Sequence, residues 1–248
     1  TERDARSLAH VGILAVVARH VAGEGHVDCD RLVGIGPEGA RHGTTGPGPA
    51  LRVLILGDSA AAGVGVDHQS QALTGQLVQQ LAAHHEVSWT LLAQTGHNTQ
   101  QVLAMLQQHP DDAFDVAVVS VGVNDVTSSV KPTQWIAQQQ SLIDLVQQRF
   151  GAQHIVLSPV PLMHRFPALP QPLRWFLGQL AHQLNRPLQR RSRTQAPCTF
   201  LQNDHPMPPH MMAADGFHPS AATYKLWADN VAQVILARRR QIAENAHR

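Results

Sequence analysis

Charge is scarce in this chain, and so are aromatic rings and cysteines. Only 15% of its 248 residues are Asp, Glu, Lys or Arg, well under the roughly 25% usual in soluble domains. The 19 basic and 18 acidic residues nearly cancel, so the net charge gives no reason to expect nucleic acid or an acidic membrane as a partner. Sixteen histidines hold a reserve of positive charge that appears below about pH 6. Two cysteines, Cys29 and Cys198, are too few for a disulfide framework and are read as unpaired thiols. The longest apolar run near the start, Val11 to Val17, falls far short of the ~20 residues of a membrane span. The chain begins on Thr rather than Met, which leaves a processed leader, and with it the compartment, open. Neither G-x-x-x-x-G-K-[ST] nor G-x-G-x-x-G follows the first strand, so nucleotide binding has no motif behind it. Oligomeric state leaves no mark on the sequence.

What is present is an apolar core in regular portions. Hydrophobic residues make up 43%, enough to fill one large α/β domain at this length. Leu51, Val53, Leu54, Ile55 and Leu56 form a strand-length run apolar on both faces, as a central strand of a buried parallel sheet requires. Further strands are expected at Val87–Leu92, Val116–Val121, Ile155–Leu157 and Cys198–Leu201. Helical spacing places helices at Leu73–Leu81, around Val102–Leu106, at Ile136–Phe150, at Leu173–Leu188 with a break near Pro187, and at Tyr224–Ile235. Strands alternating with helices give five βα units and hence a doubly wound parallel sheet covered on both faces. Residues 1–50 are expected to be an arm, with a short amphipathic helix through Ile13, Val16, Val17 and His20, then a linker or irregular loop from Gly34 to Pro49. The domain proper is residues 51–248.

Every chemically distinctive segment follows a strand, so all fall at one edge of the sheet, where ligands sit in open α/β folds. Gly57-Asp58-Ser59 ends the first core strand, and a run of small residues follows it. Thr95-Gly96-His97-Asn98 ends the second, and Gly122-Val123-Asn124-Asp125 the third. Asp215-Gly216-Phe217-His218 precedes the last helix, whose first turn takes Pro219. A serine hydroxyl is a poor nucleophile without an adjacent base. His218 is the base this order of residues offers, with Asp215 three positions away to hold its ring. Backbone N–H groups of Ser59 and Gly96 and the amide of Asn124 are candidate donors to a developing oxyanion. Asp58, His97, Pro159, Met163 and Phe217 are weaker candidates for contact with substrate, and Asp58 and Asp125 are read as structural acceptors for loop N–H groups rather than acids in catalysis. Two proline-rich stretches, Pro159–Pro172 and Asp204–Asp215, follow strands at the same edge. They either wall an apolar substrate pocket or merely cover the sheet end.

The GDS of Gly57–Ser59, Gly96 with Asn98, the GVND of Gly122–Asp125 and the DGFH of Asp215–His218 resemble the four sequence blocks of the SGNH, or GDSL, hydrolases, in that family's order. The resemblance implies a three-layer α/β/α sandwich with a flavodoxin-like, five-stranded parallel sheet. It also implies hydrolysis of esters or thioesters without a metal or other cofactor, with a small-molecule ester as the partner. The roles it implies are Ser59, Asp215 and His218 as the catalytic set and Ser59, Gly96 and Asn124 as the oxyanion hole. The first 50 residues match none of the blocks. The α/β-hydrolase elbow, G-x-S-x-G, does not fit Gly57-Asp58-Ser59-Ala60-Ala61.

The expected function is a serine esterase acting on short- to medium-chain carboxylic esters. An acyltransferase, or a deacylase of carbohydrates or lysophospholipids, would use the same residues, and a catalytically silent flavodoxin-like binding module is the rival of another class. Serine is also a common helix cap, and Asn and Asp are common turn residues. Each residue taken singly therefore has an ordinary explanation, and the spacing of all of them together carries the argument. His205, Met207, His210, Met211 and Met212 resemble a soft-metal set by composition, but no second ligand group accompanies them and no metal is assigned.

Overall fold

The computed structural model describes residues 36–194, 197–202 and 208–246. The expected helix through residues 13–20, Cys29, His205 and Met207 lie outside the described residues, and Cys198 is a free thiol. Among the described residues one sheet of six strands carries the fold, in the order β1-β3-β2-β4-β5-β6. These are β1 (His42–Thr45), β2 (Ala50–Gly57), β3 (Glu86–Ala93), β4 (Val116–Ser120), β5 (His154–Leu157) and β6 (Cys198–Phe200). The five strands from β2 onward are mutually parallel. Their spatial order is the 2-1-3-4-5 order of flavodoxin-like sheets, whose direction of winding reverses between the first and third strands. Here that crevice opens between β2 and β4.

Strand alternation assigns the two faces. Leu54 and Leu56 of β2 point into one core, and Leu51, Val53 and Ile55 into the other. The first core is covered by α3 (Thr99–Gln108), α5 (Pro132–Gln148) and α6 (Leu173–Ser192), the second by α2 (Leu73–Leu81) and α7 (Ala221–Ala246). Two short helices, α1 (Ser59–Ala62) and α4 (Val123–Thr127), begin directly after β2 and β4. The layers are those of an α/β/α sandwich. No helix among the described residues is long and apolar enough to cross a membrane.

Two expectations change. The linker expected over 34–49 contributes β1, an antiparallel edge strand paired with β3, so a sixth strand joins the five parallel ones. Its four residues, His-Gly-Thr-Thr, have no apolar face and are half or fully exposed, which removes the alternation by which a strand is read. The break near Pro187 does not occur, because α6 runs on to Ser192. Proline removes the donor for the carbonyl four residues back. That carbonyl belongs to Gln183, an exposed residue, so water can satisfy it, and buried Leu184 and Leu188 hold both sides of the site on the core.

A close approach of two strands lies under the Ser59 turn. A Cβ on Gly57 would overlap the Ser120 carbonyl oxygen and fall 2.7 Å from the Ala61 Cβ. Gly57→Ala should therefore push β2 from β4 and lower stability by about 3 kcal/mol or more, read as a drop in the urea midpoint. An unchanged midpoint would mean that the two strands are not held this close.

Candidate active site

Ser59 is the first residue of α1, and its position follows from Asp58. The Asp58 carboxylate caps α1 by accepting the Ala60 N–H at 3.1 Å, and the Asp58 N–H donates to the Ser120 carbonyl at 3.2 Å. The turn is thus tied to its own helix and to β4. Asp58 is buried and accepts a loop N–H, the structural role read for it from the sequence, which leaves its weaker reading as a substrate contact without support. Burial raises its carboxyl to about 7, against the lowering effects of the Ala60 N–H and His218. Ser59 itself is half-buried, and its N–H, in the first turn, has no acceptor within the helix.

His218 Nε2 lies 3.1 Å from Ser59 Oγ, and His218 Nδ1 lies 2.6 Å from Asp215 Oδ2. The second Asp215 oxygen, Oδ1, accepts the N–H groups of Phe217 and His218, both at 2.9 Å. Burial on its own would raise the Asp215 carboxyl, but the bond to the His218 ring, the His218 charge and the two N–H groups outweigh it and hold it below its usual value. A carboxylate kept ionised at this distance fixes the ring with Nδ1–H toward the aspartate and Nε2 toward the serine. Phe217 meets the His218 ring edge-on at 5.3 Å and Phe166 at 5.1 Å, so it braces the histidine from behind.

Gly96 occupies the turn after β3 with a φ of +80°. A Cβ there would meet no heavy atom within 4 Å, so the requirement for glycine is one of backbone conformation. Asn124 stands in α4, and its Nδ2 donates to the His97 carbonyl at 2.9 Å. One amide hydrogen therefore fastens the Gly96 turn, and the second is available to a ligand. Asn98 caps α3 in a reciprocal box with Gln101. His97 contributes its backbone carbonyl, while its half-buried ring has its pKa lowered by burial.

A buried polar group centred on Asp125 binds these turns together; Asp125 is the structural acceptor of a loop N–H that the sequence suggested, and the partners around it are what the sequence did not show. Asp125 Oδ2 accepts both the N–H and the hydroxyl of Thr99, at 3.0 and 2.8 Å. Thr99 Oγ1 accepts in turn from Trp135 Nε1 at 3.0 Å and Gln139 Nε2 at 3.1 Å. The Gly122–Asp125 segment made Asp125 visible in the sequence, whereas its partners were not, since the bonded residues lie 26 to 40 positions apart.

Met163 is placed differently from expectation. It is fully buried in the core with Phe166 and Leu169, because the prolines of that loop turn its apolar residues inward over the sheet end. Pro159 does line an apolar cavity, shared with Asp58, Ala60, Val160, Pro219 and Trp227. Ser59 and His218 are not among the described residues lining it, although their neighbours Asp58, Ala60 and Pro219 are. Among the described residues no three His, Cys, Asp or Glu side chains cluster as a metal site.

The sequence model of the GDSL-like Lipase/Acylhydrolase family matches residues 55–226, a span that contains Ser59, Gly96, Asn124, Asp215 and His218. The GDSL-like esterase Rv1075c of Mycobacterium tuberculosis is 28% identical over 212 residues, covering 75% of this chain and 65% of that protein. The chain thus spans just under two-thirds of that relative's length. Among solved structures, a member of the lipolytic G-D-S-L family from Veillonella parvula superposes with a TM-score of 0.59 at 14% identity, covering 74% of this chain and 97% of that one. An extracellular lipase from Streptomyces rimosus gives 0.57 at 17% identity, covering 75% and 99%. At these identities the two structures speak for the fold.

Two outcomes test this geometry. Asn124→Ala should lower kcat by about 10²–10³ while KM stays within a few-fold, measured per active site titrated, and an unchanged kcat would remove Asn124 from the oxyanion hole. The raised Asp58 carboxyl carries a second expectation. The fold retains its proton up to about pH 7, whereas the unfolded chain releases it near pH ~4. Its contribution to stability is therefore complete below about pH 4 and declines as pH rises through about 7. Asp58→Asn should gain stability relative to the parent between pH 5 and pH 8, by on the order of 1–3 kcal/mol, in urea unfolding at both pH values. A constant difference would show that Asp58 does not titrate there.

Proposed function

The chain belongs to the GDSL-like lipase/acylhydrolase family, and we propose that it is a serine esterase that hydrolyses short- to medium-chain carboxylic esters through an acyl-enzyme on Ser59. The observation that carries the reading is the single imidazole shared by Ser59 Oγ, at 3.1 Å, and Asp215 Oδ2, at 2.6 Å. Nε2 takes the serine proton as Oγ attacks the ester carbonyl, and Asp215 stabilises the imidazolium that results. Negative charge then develops on the former carbonyl oxygen. The N–H groups of Ser59 and Gly96 and the amide of Asn124 are the donors suited to receive it. His218 returns its proton to the departing alkoxide, and the alcohol leaves. Water follows the same route in reverse: Nε2 accepts its proton, its oxygen attacks the acyl carbon, and Ser59 recovers the proton when the acid is released.

The preference for modest acyl groups rests on packing. Met163, Phe166 and Leu169 tie the 159–172 loop into the core, which opposes the opening that a long acyl chain would require. The M. tuberculosis relative is described as a GDSL-like esterase, in line with this chemistry.

Ser59→Ala should abolish hydrolysis of p-nitrophenyl butyrate and leave the melting temperature near that of the parent. The parent should hydrolyse p-nitrophenyl palmitate at least tenfold more slowly than the butyrate, compared as kcat/KM. Full activity in the variant would reject the nucleophile, and equal rates on the two esters would reject the chain-length preference alone.

A further inference from the structure

The balanced net charge conceals a long acid-free segment. Between Asp144 and Asp204 there is no Asp or Glu, while Arg149, Arg165, Arg174, Arg186, Arg190, Arg191 and Arg193 all fall there. The segment contains α6. The inner face of that helix, Leu177, Ala181, Leu184 and Leu188, is buried on the core. Its outer side carries exposed Trp175, Gln179, His182, Arg186, Arg190 and, at the C-cap, Arg193. Steps of three and four residues put these six side chains on one stripe. Arg186, Arg190 and Arg193 form no ion pair with any described residue.

The aromatic end of the stripe is equally distinctive. Trp175 is 58% exposed and Phe176 49%. Together with Ile242 they are the large hydrophobic side chains left exposed among the described residues. They open α6 at the sheet edge that carries Ser59. The loop before the helix is joined to the Asp215–His218 turn there, through the Ala168 N–H and the Gly216 carbonyl at 3.3 Å. The arginines follow from about 17 Å further along the helix. Exposed rings beside a row of cations, on a helix with no acid, match a surface that offers both apolar depth and phosphate.

We propose that the outer face of α6, led by Trp175 and Phe176, docks the protein on an anionic lipid bilayer. The rings enter at headgroup depth, where amphipathic aromatic residues are favoured, and Arg186, Arg190 and Arg193 lie against lipid phosphates. A bilayer is favoured over a single-stranded nucleic acid because Trp175 and Phe176 stand about 17 Å from Arg186, the first arginine of the row, so that apolar insertion and phosphate contact fall at separate points of one surface.

Sedimentation with phosphatidylcholine vesicles, with and without 30% phosphatidylglycerol, tests the proposal. Partitioning should be at least tenfold stronger on the anionic vesicles and should weaken in 0.5 M salt. Replacing Arg186, Arg190 and Arg193 together by Gln should cost about 10²-fold on anionic vesicles. Brominated phosphatidylcholine included in those vesicles should quench part of the tryptophan fluorescence, and Trp175→Phe should lose that part. Melting temperatures near that of the parent show that the variants are folded. Equal binding to both vesicle types, no loss on replacing the arginines, or quenching retained in Trp175→Phe would overturn the proposal. So would displacement of the vesicles by an equimolar single-stranded RNA 20-mer.

Discussion

The pairing of β2 with β4 is the constraint on which the site depends. These strands flank the point where the winding of the sheet reverses, and a ligand-sized crevice opens at their C-terminal ends for topological reasons alone. Gly57 lies against the Ser120 carbonyl, too close for any side chain, and this contact sets the distance between the two turns. One turn presents Ser59 and the other Asn124. A rigid sheet thereby fixes Ser59 relative to Asn124, which placement on two independent loops would not achieve.

The remaining parts are secured by polar groups that are costly to leave unmatched. Asp125 is fully buried, and burying a carboxylate is costly unless donors offset it. Thr99 supplies two, both to Oδ2, and Trp135 and Gln139 hold the Thr99 hydroxyl from α5. Burial raises the Asp125 carboxyl even so, with the Thr99 bonds acting against that rise. The geometry this fixes is the placement of the Gly96 turn beside Asn124, which the Asn124 bond to the His97 carbonyl also defends. On the opposite side, Asp215 uses one oxygen to order its own turn and the other to aim His218. Function and folding thus draw on the same hydrogen bonds.

The sequence revealed those features whose physics is local. The apolar runs of β2, β4 and β5 identified themselves, since a strand buried on both faces has no polar positions to obscure it. The four turns at the site were visible because the chemistry requires particular residue types at short spacing. What escaped was set by partners distant in the chain. The edge strand β1 is polar and owes its existence to β3. The Asp125–Thr99–Trp135–Gln139 group unites three elements. Met163 has the composition of a pocket residue, yet proline turns direct it into the core. The continuity of α6 through Pro187 depends on the exposure of one carbonyl and the burial of two leucines.

The central claim is that Ser59 carries the acyl group and that His218 enables it to do so. Peptide mass spectrometry after reaction with a serine-directed alkyl phosphonate tests both halves together. The account predicts one adduct, on Ser59, formed at least 10²-fold more slowly in His218→Ala. An adduct on another serine, or an unchanged rate of labelling in the histidine variant, would contradict it.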